Sequence, residues 1–77
     1  MTIAELRPYQ DRTVILTLTD GETTTCTVAL VDGEYEDIIV NIIHTSKPDN
    51  YRRADAAYTI AARDVASIQQ AEEGKSR

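Results

Sequence analysis

The chain has 77 residues, a net charge of −5 and four Tyr as its only aromatic residues. This length allows one small domain with a marginal core, so association with further copies would help to bury apolar surface. The negative charge opposes general attraction to phosphate backbones and anionic lipids, and no apolar run approaches the ~20 residues of a membrane-spanning helix. A single cysteine and no secretory hydrophobic segment at the start predict a cytoplasmic protein.

The first residues contain a helix start signal. Thr2 and Glu5 have the spacing of a capping box, in which the two side chains satisfy amide groups at the helix N-terminus. Pro8 favours an extended conformation for Arg7, which limits the helix to one or two turns. We therefore expect a short helix that covers one end of a β-structure.

Two strand-like segments follow, and an Asp-Gly pair ends each of them. In the first, which starts at Thr13, apolar and polar residues alternate with the period of a half-buried strand. The second puts alternate residues on one face, and these are Thr24, Cys26, Val28 and Leu30. Gly after Asp supplies a positive φ without a Cβ clash, so the pattern predicts hairpins and a meander.

The segment from Asp37 to His44 carries two apolar rows. One row consists of Ile38, Val40 and Ile42, and the other, on the opposite face, of Ile39 and Ile43. A small barrel has one interior, so the second row needs another cover. The candidates are the N-terminal helix, a bend that gives the strand two sheet surfaces, or another subunit. Whether the cover comes from the same chain or from another subunit, we expect this to be the most buried strand.

A polar segment over 45–57 predicts a loop of a length at which loops are often functional or mobile. It holds the chain's one cluster of basic and aromatic residues, which consists of Lys47, Tyr51, Arg52 and Arg53. Such a cluster could contact RNA through phosphates and a stacked ring, or it could be a solvated loop that balances the acidic turns. Two short strands follow, over 58–62 and 65–68, separated by a corner at Arg63-Asp64. The domain is expected to span 1–70, with a flexible polar tail over 71–77.

This order of elements resembles the Sm-like (LSm) family of SH3-like small barrels. The matching residues lie in three segments, which are Val14 to Gly21, Val28 to Asp32, and Ile60 to Ile68. The resemblance implies a mainly β fold, a five-stranded, strongly bent antiparallel SH3-like barrel with a short N-terminal helix. It also implies a tendency to pair edge strands into homo-oligomeric rings, which agrees with the need of an open sheet edge for cover.

The residues of the family's RNA pocket are not kept. Glu36 stands where uridine-binding members carry Asn, four positions after the Asp of the second matching segment. The sequence Ile60-Ala61-Ala62 stands where they carry Ile-Arg-Gly. A carboxylate replaces a base-binding amide, and a methyl group replaces a cation. The resemblance therefore supports the fold without supporting the usual RNA pocket.

No residue pattern predicts catalysis, a metal site or a cofactor. Four carboxylates lie close together in sequence and could form a weak cation-binding rim in a ring, and these are Asp32, Glu34, Glu36 and Asp37. Their spacing is not that of an EF-hand, so a solvated acidic turn is the simpler interpretation. Cys26 has no basic neighbour in sequence that would stabilise a thiolate.

Three functional hypotheses follow. The first is a non-enzymatic, homo-oligomeric Sm-like scaffold or binding module for an unknown partner. The second is an RNA-binding Sm-like protein that uses the basic loop 47–53 in place of the usual pocket. The third is an accessory subunit that binds metal at the acidic turn.

Overall fold

The computed structural model describes residues 1–48 and 57–71. It has one short helix, α1 (Ile3–Leu6), and two 3-10 turns, Arg7–Tyr9 and Ala62–Asp64. The five strands are β1 (Thr13–Leu18), β2 (Thr23–Asp32), β3 (Asp37–Thr45), β4 (Ala57–Ala61) and β5 (Val65–Gln70). The predicted mainly β fold with five antiparallel strands and a short N-terminal helix is therefore confirmed.

The strands form one sheet in the order β4-β3-β2-β1-β5, and every pair is antiparallel. Sequential hairpins join β1 to β2 and β2 to β3, as expected for a meander. The chain then places β5 beside β1, on the far side of the sheet from β4. Within the described residues β4 and β5 do not pair with each other, so the sheet has two free edges.

The core lies on the concave side of this sheet and is mostly aliphatic. Its buried apolar residues are Leu6, Val14, Leu16, Cys26, Val28, Val31, Ile38, Val40, Ile60, Ala62 and Val65. In β1 the buried residues alternate with half-buried ones, as the period of the sequence predicts. Leu6 comes from the helix, so α1 closes one end of the core.

The capping box of α1 is present as predicted. The backbone N–H of Thr2 donates to Glu5 Oε1 at 2.8 Å, and the Glu5 N–H donates to Thr2 Oγ1 at 3.2 Å. The Thr2 N–H, and second the Thr2 hydroxyl, which also donates to Glu5 Oε1 at 3.2 Å, lower the pKa of Glu5. The N-terminal ammonium group donates to the carbonyls of Ala62 and Val65 at 2.9 and 2.8 Å. The helix is thereby tied to the corner between β4 and β5.

The two Asp-Gly turns have different backbone conformations. Gly21 has φ +94°, as a hairpin glycine should. At the second turn the residue with positive φ is Glu36, at +56°, and Gly33 is not in this region. Gly33 serves a different purpose, because a Cβ there would lie 2.5 Å from Arg7 Nη2. The absence of a side chain lets the Arg7 guanidinium lie against the turn.

Two expectations were wrong: that Leu30 faces the core, and that β3 is the most buried strand. Leu30 is 42% exposed, and Val31 is buried in its place, because the β2–β3 register shifts between Val28 and Leu30. Such a bulge reverses the faces of the residues that follow it. β3 is also not the most buried strand. Two of its nine residues are buried, against four of ten in the central strand β2.

Among the described residues, no helix has the length and apolar character needed to cross a membrane.

Candidate functional site

The helix end of the sheet contains a small pocket, which we call the helix-side pocket. It has a volume of about 250 Å³ and is lined by Met1, Thr2, Ile3, Gly33, Glu36, Ala62 and Arg63. The β2–β3 turn and the β4–β5 corner meet here, because the Ala62 N–H donates to the Glu36 carbonyl at 2.9 Å. The fold therefore brings together Glu36 and Ala62, which the family resemblance had compared with an RNA pocket. Glu36 and Arg63 give its rim one charge of each sign.

The acidic residues of the β2–β3 turn do not converge. Asp32 Oδ1 accepts hydrogen bonds from the backbone N–H groups of Glu34, at 2.9 Å, and Tyr35, at 3.4 Å. Glu34 and Glu36 are exposed, and Asp37 is half-buried. In residues 1–48 and 57–71, no group of three or more His, Cys, Asp or Glu side chains could hold a metal ion. Within one copy these carboxylates therefore lie around a turn without forming a metal site, and a rim shared by the copies of a ring stays a prediction.

A second pocket, the turn-side pocket, lies where the β1–β2 turn meets the same β4–β5 corner. It has a volume of about 300 Å³ and is lined by Leu18, Thr19, Asp20, Thr59, Ile60 and Asp64. The β1–β2 turn is fixed against the β4–β5 corner here, since the Thr19 N–H donates to the Asp64 carbonyl at 2.9 Å. Leu18 and Ile60 give it an aliphatic wall beside the two carboxylates. Sequence reasoning did not single out this pocket.

The Asp20 carboxylate, which lines this pocket, has partners at both oxygens. Its Oδ1 accepts from the backbone N–H of Glu22 at 2.9 Å, and its Oδ2 lies 3.4 Å from Lys47 Nζ. The hydrogen bond from the Glu22 N–H is the main reason why the pKa of Asp20 is lowered; desolvation opposes it, and Lys47 adds a smaller lowering effect. Both groups are solvent-exposed, so the pair contributes little to stability as a salt bridge. Its role is to connect the β1–β2 turn with the end of β3.

The lowered pKa of Asp20 predicts acid sensitivity. A carboxylate with a lower pKa in the folded state binds its proton more readily in the unfolded chain. Its stabilising effect is therefore complete above the unfolded pKa and is lost as the pH falls through the folded pKa. We expect Asp20→Ser, which keeps an oxygen acceptor but does not titrate, to lose less stability on acidification. Urea unfolding of both proteins at neutral and acidic pH measures this, and an unchanged pH dependence would contradict it.

Glu22 is the main feature that sequence reasoning missed. It follows an exposed glycine in a polar turn, yet it is only 1% exposed. Its Oε2 accepts hydrogen bonds from the hydroxyls of Thr24, at 2.9 Å, and Thr45. The two hydroxyl oxygens are themselves 3.2 Å apart. This buried polar network joins the start of β2 to the end of β3, next to the point where the chain enters the loop.

The predicted basic cluster is described only at Lys47. Its Nζ pairs with Asp20 Oδ2 and also donates to the Asp20 carbonyl at 3.2 Å. Tyr51, Arg52 and Arg53 lie outside the described residues. The one described cation of the cluster is therefore partly balanced by an acidic turn, as the simpler interpretation of the loop expects.

The second apolar row of β3 is only partly covered. Ile39 is half-buried and pairs with Leu30 of β2 and Thr59 of β4. Ile43 is 60% exposed. The described part of β4 pairs with β3 only from Asp37 to Asn41, so Ile43 extends beyond it. Leu6 of α1 packs into the core.

Cys26 lies in the core with no exposed surface. Burial raises the pKa of its thiol to about 12. A thiolate is the reactive form of cysteine, so this residue behaves as a small apolar side chain. The position agrees with the sequence interpretation.

The folded protein should therefore resist thiol reagents. We expect the single thiol to react with a disulfide reagent such as DTNB only after unfolding, with a native rate set by opening of the core. The measurement compares the labelling rate in buffer with that in concentrated urea. Equally fast labelling in both would contradict the burial of Cys26.

No protein-family model, no curated protein and no solved structure matches this chain.

Proposed function

We propose that this chain is a non-enzymatic Sm-like small barrel of the cytoplasm that acts as a homo-oligomeric scaffold or binding module. The observation that carries the proposal is that β4 and β5 are the two edge strands of the sheet in the described part of the chain. A strand edge presents unpaired N–H and C=O groups, and proteins pair, cover or blunt such edges. Pairing β4 of one copy with β5 of the next would satisfy both edges at once. Repeated around an axis, this contact generates a ring.

The outer surface near β4 supports the same arrangement. Ile39 and Leu30 lie side by side on the outer side of the sheet, and Thr59 of β4 lies next to Ile39. An incoming strand at the β4 edge would extend the sheet and bring further side chains onto this apolar surface. A domain of this size gains more from such burial than a large one does.

The composition of the described residues supports binding over catalysis. The thiol of Cys26 is buried, and the carboxylates around the β2–β3 turn are spread apart. The two pockets are small and both border the β4–β5 corner. In a ring, they would repeat in every subunit and offer partners a set of identical contacts.

The experiment introduces a carboxylate on the outer surface of the sheet. Ile39→Asp should release folded subunits, because the charge would be desolvated at the β4 interface. Thr25→Asp is the matched control, since Thr25 is half-buried on the outer side of the central strand, away from both edges. Light scattering gives the mass, and circular dichroism reports folding. An Ile39→Asp protein that keeps the oligomeric mass, or an unfolded one beside a folded control, would count against this interface.

RNA binding through the loop 47–53 is the alternative, and the exposed Lys47 at the start of that loop favours it. It predicts salt-sensitive binding of uridine- or adenine-rich RNA that the double change Arg52→Ala and Arg53→Ala abolishes. Fluorescence anisotropy at low salt tests this. No change in anisotropy with either RNA would reject the alternative.

A further inference from the structure

The two Asp-Gly pairs, at Asp20 and Asp32, have the same capacity for backbone rearrangement. In an Asp-Gly sequence the glycine nitrogen can attack Cγ of the aspartate, because glycine has no side chain to hinder the approach. The product is a five-membered succinimide, which water opens to aspartate or to isoaspartate. Secondary structure slows this reaction where it holds the reacting groups in other hydrogen bonds. The structure holds the two pairs differently.

The reacting groups of Asp20-Gly21 are occupied. The Gly21 nitrogen donates to the Leu18 carbonyl at 3.0 Å, and both carboxylate oxygens of Asp20 have partners, the Glu22 N–H and Lys47 Nζ. Lys47 Nζ also donates to the Asp20 carbonyl. These contacts must break before the glycine nitrogen can reach Cγ. The lowered pKa of Asp20 acts in the same direction, because an ionised carboxylate cannot lose its hydroxyl as water.

Asp32-Gly33 is held less tightly. Among the described residues the Gly33 nitrogen has no acceptor comparable to Leu18 O at the first turn. The hydrogen bonds of the Asp32 carboxylate all use Oδ1, and they come from backbone N–H groups within the same exposed turn. Gly33 is exposed, and the neighbouring Tyr35 is 72% exposed. Reaction here requires a local change in one turn and at the last pair of the β2–β3 ladder, Asp32 with Asp37.

We propose that Asp32 is a site of spontaneous isoaspartate formation in the folded protein, and that Asp20 is protected. The Gly33 nitrogen forms a bond to Asp32 Cγ, the Cγ–OH bond breaks, and the hydroxyl leaves as water with the amide proton. Water then adds to the main-chain carbonyl of the succinimide, and that C–N bond breaks. The Asp32 side chain thereby becomes part of the backbone. The mass returns to its starting value, and no oxidant or reductant is needed.

The modification would alter the helix-side pocket. Isoaspartate adds a methylene group to the backbone and moves the free carboxylate to Cα, away from the position that accepts from the Glu34 and Tyr35 N–H groups. Gly33 would shift beneath Arg7, whose guanidinium already lies close against the turn. Glu36, whose carbonyl accepts from Ala62, lies at the end of the same turn. The change at Asp32 therefore reaches the pocket without any change of sequence.

The test is incubation of the folded chain at neutral pH and body temperature, with samples taken over weeks. Peptide mapping with electron-transfer fragmentation locates isoaspartate at each site, and the succinimide is seen as a species lighter by one water. We expect formation at Asp32 to be about tenfold faster than at Asp20, the effect of one hydrogen bond that must break before reaction. In concentrated urea, where the turns are lost, the two sites should react at similar rates.

Matched substitutions isolate the two sites. Asp32→Glu should remove the product, because a six-membered ring forms far more slowly, and Asp20→Glu should leave the rate at Asp32 unchanged. Equal or faster formation at Asp20 in the folded protein would overturn the proposal. A lack of isoaspartate at Asp32 in the folded protein would overturn it too, whatever the rates in urea.

Discussion

Leu16→Ala should lower the free energy of unfolding by about 2–5 kcal/mol, the range for a leucine deleted from a core. Leu16 has no exposed surface and lies on the inner side of β1, paired with Thr24 of β2 and Ile68 of β5. Three strands therefore border the space that the missing atoms would leave. Small domains have total stabilities of about 5–15 kcal/mol, so this loss could leave much of the chain unfolded.

Leu30→Ala is the matched control, because it makes the same chemical change at a residue that is 42% exposed. Its side chain already contacts water, so less transfer free energy is lost and no closed cavity forms. Urea unfolding followed by circular dichroism compares the two proteins at one concentration. Equal losses for Leu16→Ala and Leu30→Ala would show that the sheet does not enclose its core as described.

Glu22→Ala should cost about 2–3 kcal/mol, because it leaves two hydroxyl groups without their shared acceptor. The carboxylate is buried, and it accepts from Thr24 and Thr45 on different strands. Its removal loosens the contact between the start of β2 and the end of β3. Glu22→Gln keeps one acceptor oxygen at a similar position, so it should cost less than Glu22→Ala.

Glu34→Ala provides the comparison for the loss of an acidic side chain. Glu34 is exposed in the β2–β3 turn, and its removal should change stability by less than about 0.5 kcal/mol. Thermal unfolding of the four proteins ranks them. If Glu22→Ala were as stable as Glu34→Ala, the buried network would have no stabilising role.

The sequence predicted the strands because their signal is local. In β1 the alternation of apolar and polar side chains indicates which face of the sheet each residue occupies, and Asp20-Gly21 marks the turn that follows. Thr2 and Glu5 likewise predicted the helix start, since a capping box lies within one helical turn. These features depend on neighbours in sequence.

The errors arise where distant contacts decide the outcome. Leu30 was placed on the wrong face because a bulge depends on how β2 pairs with β3, which alternation does not encode. Glu22 reads as a solvated turn residue, and its burial depends on the approach of Thr45 from another strand. Ile43 lies in the second apolar row, whose cover alternation alone could not assign, and it is 60% exposed.

The candidate site also combines features that are visible in the sequence with features that depend on distant contacts. The acidic residues of the β2–β3 turn were visible in sequence, and so was the corner at Arg63. Their meeting in the helix-side pocket was not predicted, because it depends on the long-range hydrogen bond from the Ala62 N–H to the Glu36 carbonyl. The turn-side pocket had no sequence signal, because Asp20 and Asp64 are far apart in the chain and come together through the sheet.

The most direct test of the proposed edge pairing is the solution mass, measured by light scattering at two protein concentrations. Pairing of β4 and β5 between copies predicts a stable mass of several subunits that does not change on dilution. A single species near 8.6 kDa at both concentrations would contradict it. The sheet edges would then be exposed in a monomer, and the ring would have to be abandoned.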